Sequence, residues 1–522
     1  MRRACNPLGL AGKLPRIIHL IRDGLIRAET MPIHHLPQAL MPQALQHFQR
    51  GELEQAGALL LRLLDRQPRD FDALHMMGVI HAMEGQPQKA VELLTKALSV
   101  KKNNPFVHFN LARALIELDK HEDALAHHRK ATELAPGHAV AWLNFGKSLF
   151  ELERISESIS AFDKALQTQP NYAEALNNKG LALAELDRIT ESIACFQQAI
   201  ALQPDLTDAH WNLALQQLKL GKFDAAWIDF EFRWSTEGYT KPVWAEQKPD
   251  WPGKASAAPL LLWGEQGIGD QILYASILPE LAELPQKKYV ALDKRLIPLF
   301  ARSMPGFEFV DLATVSDALG FAEQLPLGSL PRFFRPDLAS FSNARHPYLQ
   351  ADVGRSAELR HKIARGDRLV CGVSWSSKRQ KLGPHKSLSL EQMLPPLASS
   401  RLHFVDLQYG DTAAERQALQ QAHGIEMQHL DDVDNFHDID GLAALIQACD
   451  VVITTSNSTA HLAGALGKST LLLLPSGKGQ FWYWAEISGA IPWYPSIETF
   501  RQKETGNWQH PLQAIKAALE TR

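Results

Sequence analysis

A glycine-bearing acidic turn follows an apolar run in the stretch "LLLWGEQGIGDQIL", residues 260–273. Its carboxylates are Glu265 and Asp270, set beside Gly267 and Gly269. Glycines let a backbone turn sharply and approach a substrate closely, and a positioned carboxylate can take a proton from a reacting hydroxyl. We therefore expect Asp270 to act as a general base, with Glu265 as the second candidate. In the competing interpretation, Asp270 only caps the helix that follows.

A hydroxyl-rich stretch, "TTSNSTAHLAGALG" at residues 454–467, lies between an apolar run and a helical segment. The exposed amides of a helix N-terminus attract anions, so the stretch suits a diphosphate. The candidate ligands are Ser456, Asn457, Ser458, Thr459 and His461. The alternative is that the serines and the asparagine simply cap the helix.

A basic loop, "WSSKRQKLGPHKSLS" at residues 375–389, could supply positive charge to the same diphosphate without a metal ion. Its basic or imidazole side chains belong to Lys378, Arg379, Lys381, His385 and Lys386. A solvated basic loop is the competing interpretation. The acidic run "DDVDNFHDID" at 431–440 is interpreted as a surface loop, and we expect no metal site there.

These residues sit in a C-terminal half that alternates strand-like and helical segments. "LLLW", "KYVAL" and "FEFVD" are strand-like in the first part, and "LVCGVSW", "LHFVD", "VVITTS" and "TLLLLP" in the second. Strands that alternate with helices predict parallel sheets, and two such runs predict two lobes with a cleft between them. Several aromatic residues near the C-terminus could stack on a ligand, although core packing explains most such clusters: Trp482, Tyr483, Trp484, Trp493 and Tyr494.

The N-terminal half repeats with a period of 34 residues. Pro136, Pro170 and Pro204 are 34 residues apart, and Pro68 lies two periods before the first of them. Small residues keep the same period at Gly78, Ala112, Gly146, Gly180 and Ala214. Small residues let the two helices of a hairpin approach, and proline ends the second helix. The pattern resembles the tetratricopeptide repeat in about six copies over residues 37–235.

Composition limits the remaining possibilities. A net charge of −4 argues against general nucleic-acid binding, and no apolar run is long enough to predict a membrane span. Four widely spaced cysteines favour a reducing compartment. Residues 1–36 are interpreted as a disordered leader, with Met31 as an alternative start, and residues 236–258 as a linker.

Six sequence blocks resemble one bacterial enzyme family. "GEQGIGDQILYASILPEL", "LPLGSLPRFF", "GVSWSS", "FVDLQYGD", "TAHLAGALGK" and "PWYPSIETFRQ" are similar to tetratricopeptide-repeat glycosyltransferases. Their catalytic half is similar to the lipopolysaccharide heptosyltransferases, which have the GT-B fold. The resemblance implies an α-solenoid followed by a GT-B transferase of two Rossmann-like lobes. The lobes would span 259–355 on the acceptor side and 356–522 on the nucleotide-sugar side.

The resemblance also implies roles for individual residues. Asp270 matches the proposed base of the family, and Ser374 and Gln408 join the donor-binding residues together with Gly267 and Gly269. The family pattern often has Asp-Thr where this chain has Ser456-Asn457, so the role of a carboxylate at that point is in doubt.

The implied activity is that of a cytoplasmic, metal-independent, inverting glycosyltransferase that acts on a protein and whose only co-substrate is a nucleotide-diphosphate sugar. The repeats would bind the acceptor protein, with flagellin as the best single guess. Asparagines near the first helices of the repeats could contact its backbone: Asn110, Asn144, Asn178 and Asn212. Two alternatives stay open, a non-catalytic scaffold and a transferase that acts on lipopolysaccharide or another glycan.

Overall fold

The computed structural model describes residues 40–236, 239–378 and 382–522. The leader with Met31, and the basic residues Arg379 and Lys381, lie outside the described residues. The chain divides into two compact units. The first holds the residues up to Leu186 with Gln198–Pro204, and the second holds Asp187–Gln197 with Asp205–Arg522.

Six helical hairpins fill the described part of the N-terminal half. Their helices are α1 Leu40–Gln49, α2 Leu53–Arg66, α3 Phe71–Met83, α4 Pro87–Val100, α5 Pro105–Ile116, α6 His121–Leu134, α7 Ala139–Glu151, α8 Ile155–Thr168, α9 Ala173–Glu185, α10 Ile189–Leu202, α11 Thr207–Lys219 and α12 Phe223–Phe230. The second helix of a hairpin ends two residues before Pro68, Pro136, Pro170 and Pro204. The predicted register is therefore confirmed.

Small residues bring the helices of a hairpin together, as the periodicity predicts. A Cβ atom on Gly78 would lie 2.7 Å from the Cγ atom of Leu94, and one on Gly146 would lie 2.5 Å from the ring of Phe162. Leu94 and Phe162 are buried. Each glycine thus makes room for a large side chain on the partner helix.

The turn inside each hairpin has a left-handed backbone residue that the sequence analysis missed. These residues also recur every 34 positions, as Gly51, Gly85, Asp119, Glu153, Asp187 and Gly221. Glycine adopts this conformation without a steric cost, whereas a residue with a Cβ atom is strained there. Three of the six turns therefore carry a strained acidic residue.

Two parallel sheets form the C-terminal half. The first has the strand order β3-β2-β1-β4 and the second β10-β9-β8-β5-β6-β7. The strands are β1 Leu260–Trp263, β2 Lys288–Leu292, β3 Glu308–Asp311, β4 Glu323–Pro326, β5 Leu369–Ser374, β6 Leu402–Asp406, β7 Met427–Gln428, β8 Val451–Thr455, β9 Thr470–Leu474 and β10 Ile497–Arg501. The predicted parallel α/β architecture is confirmed, and β4, β7 and β10 were missed.

Helices precede, connect and follow these strands. They are α13 Val243–Glu246, α14 Ile268–Ala275, α15 Ile297–Ser303, α16 Pro331–Phe334, α17 Val353–Ile363, α18 Leu390–Met393, α19 Ala413–His423, α20 Ile439–Ala448, α21 Ser458–Ala465 and α22 Gln509–Glu520. α14 follows β1 and α21 follows β8, so both begin at the carboxyl ends of parallel strands, where open α/β sheets bind ligands.

The last hairpin, α11 and α12, belongs to the second compact unit. Trp227 and Phe230 of α12 are buried in the same apolar core as residues of β1 and β2. The indole Nε1 of Trp227 donates a hydrogen bond of 2.7 Å to the carbonyl of Arg335. The boundaries predicted at residues 236 and 356 remain predictions.

Candidate functional site

The glycine turn after β1 contacts the helix that follows β8. A Cβ atom on Gly269 would lie 2.8 Å from Cδ2 of His461, which is in the first turn of α21. Only a residue without a side chain allows this approach. The structure therefore places two of the predicted site segments, one from each sheet, side by side.

Asp270 is half-buried in the first turn of α14. Its Oδ2 atom lies 3.4 Å from the backbone nitrogen of Gly267, in the manner of a capping residue. Burial first, and then the charges of Asp270 and nearby tyrosines, raise the pKa of Tyr494. Asp270 thus lies near the contact between the two segments, and the same carboxylate also caps α14. Gly267 itself is exposed at the turn.

Glu265 is engaged in a buried ion pair. Its two carboxylate oxygens each accept a hydrogen bond of 2.9 Å from the guanidinium of Arg233, which has no solvent exposure. A Cβ atom on Gly328 would overlap Oε1 of Glu265, so that glycine makes room for the pair. Both oxygens of this carboxylate are thus already engaged by Arg233. This geometry disfavours Glu265 as the second candidate base.

A buried hydrogen-bond network joins the carboxyl ends of β5, β6 and β8. Oε1 of Gln408 accepts a hydrogen bond from Oγ of Ser374 at 3.0 Å. Nδ2 of Asn457 donates to the same Oγ at 2.8 Å, and the hydroxyl of Thr459 lies 3.4 Å from it. Four residues predicted to bind the donor are thereby brought together.

Asn457 also caps α21. Its Oδ1 atom accepts hydrogen bonds from the backbone nitrogens of Thr459 at 3.0 Å and Ala460 at 3.3 Å. The capping interpretation is therefore confirmed for Asn457. Ser458, the first residue of the helix, is half-buried.

Lys386 lies beside the entrance to α21. Its Nζ atom donates a hydrogen bond of 2.5 Å to the carbonyl of Ser456 and lies 4.8 Å from the ring centroid of Phe481. The hydroxyl of Ser456 accepts a hydrogen bond of 2.8 Å from the indole of Trp484. The buried ammonium thus adds positive charge next to a helix N-terminus.

The remaining basic residues are less closely tied to this cluster. Lys378 is exposed, and its backbone nitrogen donates a hydrogen bond of 3.0 Å to the hydroxyl of Tyr409. The predicted roles of Lys381 and Arg379 concern residues outside the described ranges.

His461 is buried in an aromatic cage. Its ring lies 4.7 Å from the ring of Trp484 and 5.0 Å from that of Tyr483, and its Nδ1 atom is 3.0 Å from the hydroxyl of Tyr494. Burial, with a smaller contribution from Lys386, lowers the pKa of His461 to about 3. The imidazole is therefore neutral at neutral pH.

The aromatic residues near the C-terminus lie in the core, as the interpretation by core packing predicts. All five predicted members of the group are buried: Trp482, Tyr483, Trp484, Trp493 and Tyr494. Sequence reasoning missed two contacts that span long sequence separations: the hydroxyl of Tyr348 donates a hydrogen bond of 2.8 Å to the carbonyl of Ile272, and Arg233 pairs with Glu265. The fragment "HPYLQ" around Tyr348 carried no periodic or motif signal.

The repeat asparagines are half-buried and hydrogen-bonded within the array. The amide nitrogen of Asn144 donates to the carbonyl of Val140 at 2.9 Å, and that of Asn178 donates to Glu174 at 2.7 Å. The amide nitrogen of Asn110 lies 3.0 Å from Nε2 of His75. Asn212 is half-buried on α11. Their predicted contact with an acceptor remains a prediction.

The acidic run at 431–440 forms caps and ion pairs. Asp438 caps α20 and pairs with Arg355, and Asp440 pairs with Arg302. Within the described ranges, no group of three or more His, Cys, Asp or Glu side chains is arranged to hold a metal ion. No described helix is long and apolar enough to cross a membrane.

Two family models match the N-terminal half. The tetratricopeptide-repeat model matches residues 109–173, 143–206 and 177–231, and the model of anaphase-promoting complex subunit 3 matches 49–131. Both matches fall on the helical hairpins. Residues 109–231 are tetratricopeptide repeats, and the helical hairpins before them keep the same 34-residue period.

Two curated relatives are similar to this repeat protein over part of their length. Protein FlbA of Caulobacter vibrioides is 28% identical over 321 residues, which cover 58% of this chain and 53% of FlbA. Anaphase-promoting complex subunit 7 of Dictyostelium discoideum is 27% identical over 129 residues, 24% of this chain and 22% of that protein. The matches thus span about half of the first relative and a quarter or less of the second. The FlbA match is longer than the repeat region and extends beyond it.

Solved structures match the repeats at low similarity. YrrB, described as a TPR protein with an unusual peptide-binding site, is 24% identical with a TM-score of 0.30, over 33% of this chain and 88% of YrrB. MamA is 20% identical with a TM-score of 0.30, over 31% of this chain and 94% of MamA. PilF of Pseudomonas aeruginosa is 20% identical with a TM-score of 0.35, over 39% of this chain and 92% of PilF.

Proposed function

We propose that this tetratricopeptide-repeat protein is a glycosyltransferase of the GT-B type. It would move a sugar from a nucleotide-diphosphate donor to Ser or Thr hydroxyls of a protein. The observation that carries the proposal is the contact between Gly269 and His461. This contact brings the acidic turn after β1 next to the start of α21, where we propose that the diphosphate binds.

In this proposal Asp270 takes the proton of the attacking hydroxyl. The hydroxyl oxygen bonds to the anomeric carbon of the sugar while the bond from that carbon to the diphosphate breaks, which inverts the configuration. The backbone amides at the start of α21 and the ammonium of Lys386 stabilise the leaving diphosphate. The site therefore contains groups suited to both ends of the reaction.

The buried network around Ser374 and Gln408 supports a pre-organised binding surface for the nucleotide. Gln408 accepts three hydrogen bonds at its Oε1 atom, from the hydroxyl of Ser374 and the backbone nitrogens of Trp375 and Ser376. Such a network holds the loop after β5 in one shape before any ligand binds. A rigid binding surface lowers the entropic cost of binding the donor.

The repeats would recruit the acceptor protein. Tetratricopeptide arrays present extended surfaces that suit a polypeptide, and a small glycan needs no array of this size. We propose flagellin as the acceptor from the family resemblance alone, and a cytoplasmic location on the same basis.

A second candidate is a scaffold without turnover, which the repeat matches themselves favour. The capping contact of Asp270 and the ion pair of Glu265 also suit purely structural roles. Release of nucleoside diphosphate from a panel of nucleotide sugars separates the two functions. The transferase should hydrolyse one donor slowly in the absence of acceptor, and the scaffold should hydrolyse none.

A further inference from the structure

A cavity of about 550 Å³ is lined by residues from the start of α11 and from the segment that follows α12. Its walls include the rings of Trp211 and Tyr239, whose centroids are 5.5 Å apart at an interplanar angle of 63°. Both side chains are half-buried, so part of each remains exposed to solvent. The cavity therefore has aromatic surface that a ligand can reach.

Two carboxylates line the same cavity. Asp205 precedes α11 and Asp208 lies in its first turn, and both residues are exposed. No side-chain cap holds the start of α11, whose N-cap residue is Leu206. No described residue forms a hydrogen bond or an ion pair with either carboxylate. Helix capping thus does not explain these two side chains.

The negative charge of the cavity is not balanced by its own lining. No Lys, Arg or His side chain of the described residues lines it. The basic side chains close by in the chain are engaged elsewhere: Nδ1 of His210 lies 2.6 Å from Asp229, and the ammonium of Lys241 lies 5.4 Å from the ring centroid of Trp234. The cavity therefore combines aromatic rings with two uncompensated carboxylates.

One wall of the cavity is joined to the acidic turn after β1. Thr236 lines the cavity, and its hydroxyl donates a hydrogen bond of 2.8 Å to the carbonyl of Arg233. The guanidinium of Arg233 donates two hydrogen bonds of 2.9 Å to Glu265, which belongs to the same turn as Asp270. A single buried ion pair thus connects the cavity to the turn that carries the proposed base.

We propose that this cavity binds the cationic side chain of an arginine or lysine of the acceptor polypeptide. A cation lies favourably over the face of an aromatic ring, here that of Trp211 or Tyr239. It also pairs with carboxylates, here those of Asp205 and Asp208. A guanidinium suits both contacts best, because it stacks on rings and binds carboxylates through two parallel hydrogen bonds.

The inference deepens the proposed transferase and rests on it for the identity of the polypeptide. It predicts that the acceptor carries a basic residue near the modified Ser or Thr. A neutral sugar is the competing ligand, since sugars also stack on aromatic rings, but a sugar would leave both negative charges unbalanced.

¹⁹F NMR of the full chain labelled with 5-fluorotryptophan reads the cavity directly, because Trp211 forms one of its walls. The Trp211→Phe variant identifies the resonance by its loss. The probe is the end-blocked peptide Gly-Gly-Arg-Gly-Gly, and its neutral match has citrulline in place of arginine. We expect the arginine peptide to shift the Trp211 resonance and the citrulline peptide to leave it unchanged. Equal shifts from the two peptides, or none from either, would overturn the proposal.

Substitution of the carboxylates tests the role of charge. Asp205→Asn and Asp208→Asn should each weaken binding of the arginine peptide by roughly two- to fivefold, the effect of losing one exposed ion pair. Asp224→Asn is the matched control, because Asp224 is exposed in the first turn of α12 and does not line the cavity. If all three variants bind the peptide as the wild type does, the carboxylates do not hold the cation and the proposal fails.

Titration with N-acetylglucosamine tests the neutral sugar. It should leave the Trp211 resonance unchanged, and a shift as large as that from the arginine peptide would assign the cavity to a glycan instead. None of these titrations needs a nucleotide sugar, so failure of the cavity proposal is distinguishable from failure of the transferase.

Transfer kinetics test whether the cavity selects the acceptor. With serine-containing versions of the two peptides, kcat/KM should be higher for the arginine peptide, and Asp208→Asn should reduce this preference. Transfer with equal kcat/KM values for the two peptides would show that the cavity does not select the acceptor.

Discussion

At the scale of single residues, Asp270 carries the most specific prediction. Asp270→Asn preserves side-chain size and the capping contact but cannot accept a proton. We expect turnover to fall by about 10²–10⁴-fold, the usual contribution of a general base. Donor affinity and thermal stability should barely change, because asparagine caps a helix as well as aspartate does. Single-turnover kinetics with calorimetry of donor binding checks both, and a fully active variant would move the base elsewhere.

Lys386 provides a second prediction at this scale. Lys386→Met preserves a long side chain but removes the ammonium that lies over the ring of Phe481 and beside α21. We expect nucleoside-diphosphate affinity to weaken by about 1–3 kcal/mol, the range for a charge-assisted hydrogen bond. Lys378→Met is the comparison variant, since that lysine is exposed and its backbone nitrogen bonds to the hydroxyl of Tyr409. Equal nucleoside-diphosphate affinities for the wild type and Lys386→Met would show that Lys386 does not contribute to donor binding.

The candidate site segments could be predicted from the sequence where residue types close together in the chain indicate the chemistry. Glycines, hydroxyls and a helix start identified the turn at 264–270 and the stretch at 454–467 from the sequence. The pairing of Arg233 with Glu265 was not predictable, because it joins residues that no motif or period relates. The surroundings of the His461 ring were also hidden, since its Nδ1 atom lies 3.0 Å from the hydroxyl of Tyr494, which belongs to a distant segment.

At the scale of elements, the contact between the glycine turn and α21 can be tested by adding one methyl group. Gly269→Ala would place a Cβ atom 2.8 Å from the His461 ring, whereas Gly267→Ala would place one 3.7 Å from Asp270, an ordinary contact. We expect Gly269→Ala to lower the free energy of unfolding by about 1–3 kcal/mol and to reduce donor binding. Gly267→Ala should leave the free energy of unfolding unchanged. Indistinguishable urea unfolding curves for the two variants would contradict this contact.

The hairpin turns offer an independent test of the repeats. Asp119→Gly relieves a left-handed residue with a Cβ atom, and we expect the free energy of unfolding to rise by about 0.5–1 kcal/mol. Gly85→Ala introduces the same strain and should lower the free energy of unfolding by a similar amount.

The 34-residue period predicted the helices because every repeat has the same register. It did not predict these turns, because three of them lack glycine.

At the scale of the whole molecule, the last hairpin, α11 and α12, is part of the second compact unit, together with the two parallel sheets. Although burial opposes its charge, Glu265 and Glu231 raise the pKa of Arg233. Arg233→Met leaves Glu265 buried without its partner, so we expect a loss of about 3–5 kcal/mol in the free energy of unfolding. The double variant with Glu265→Gln should recover much of that loss.

The exposed pair of Arg154 with Glu157 is the control for this experiment. Its guanidinium is also bidentate, with distances of 2.7 and 2.6 Å, but it lies in solvent. Arg154→Met should therefore leave the unfolding curve unchanged. Equal effects of Arg154→Met and Arg233→Met would show that burial does not set the strength of the ion pair between Arg233, which follows α12, and Glu265, which follows β1.

Intact-mass analysis of acceptor proteins tests the central claim most directly. Flagellin and other candidate acceptors would be co-expressed with the full chain and supplied with a panel of nucleotide sugars. We predict that one acceptor gains the mass of one or more sugar residues on Ser or Thr, and that the gain is lost with Asp270→Asn. An equal gain with and without the protein, or no gain for any pair of donor and acceptor, would contradict the proposed transferase.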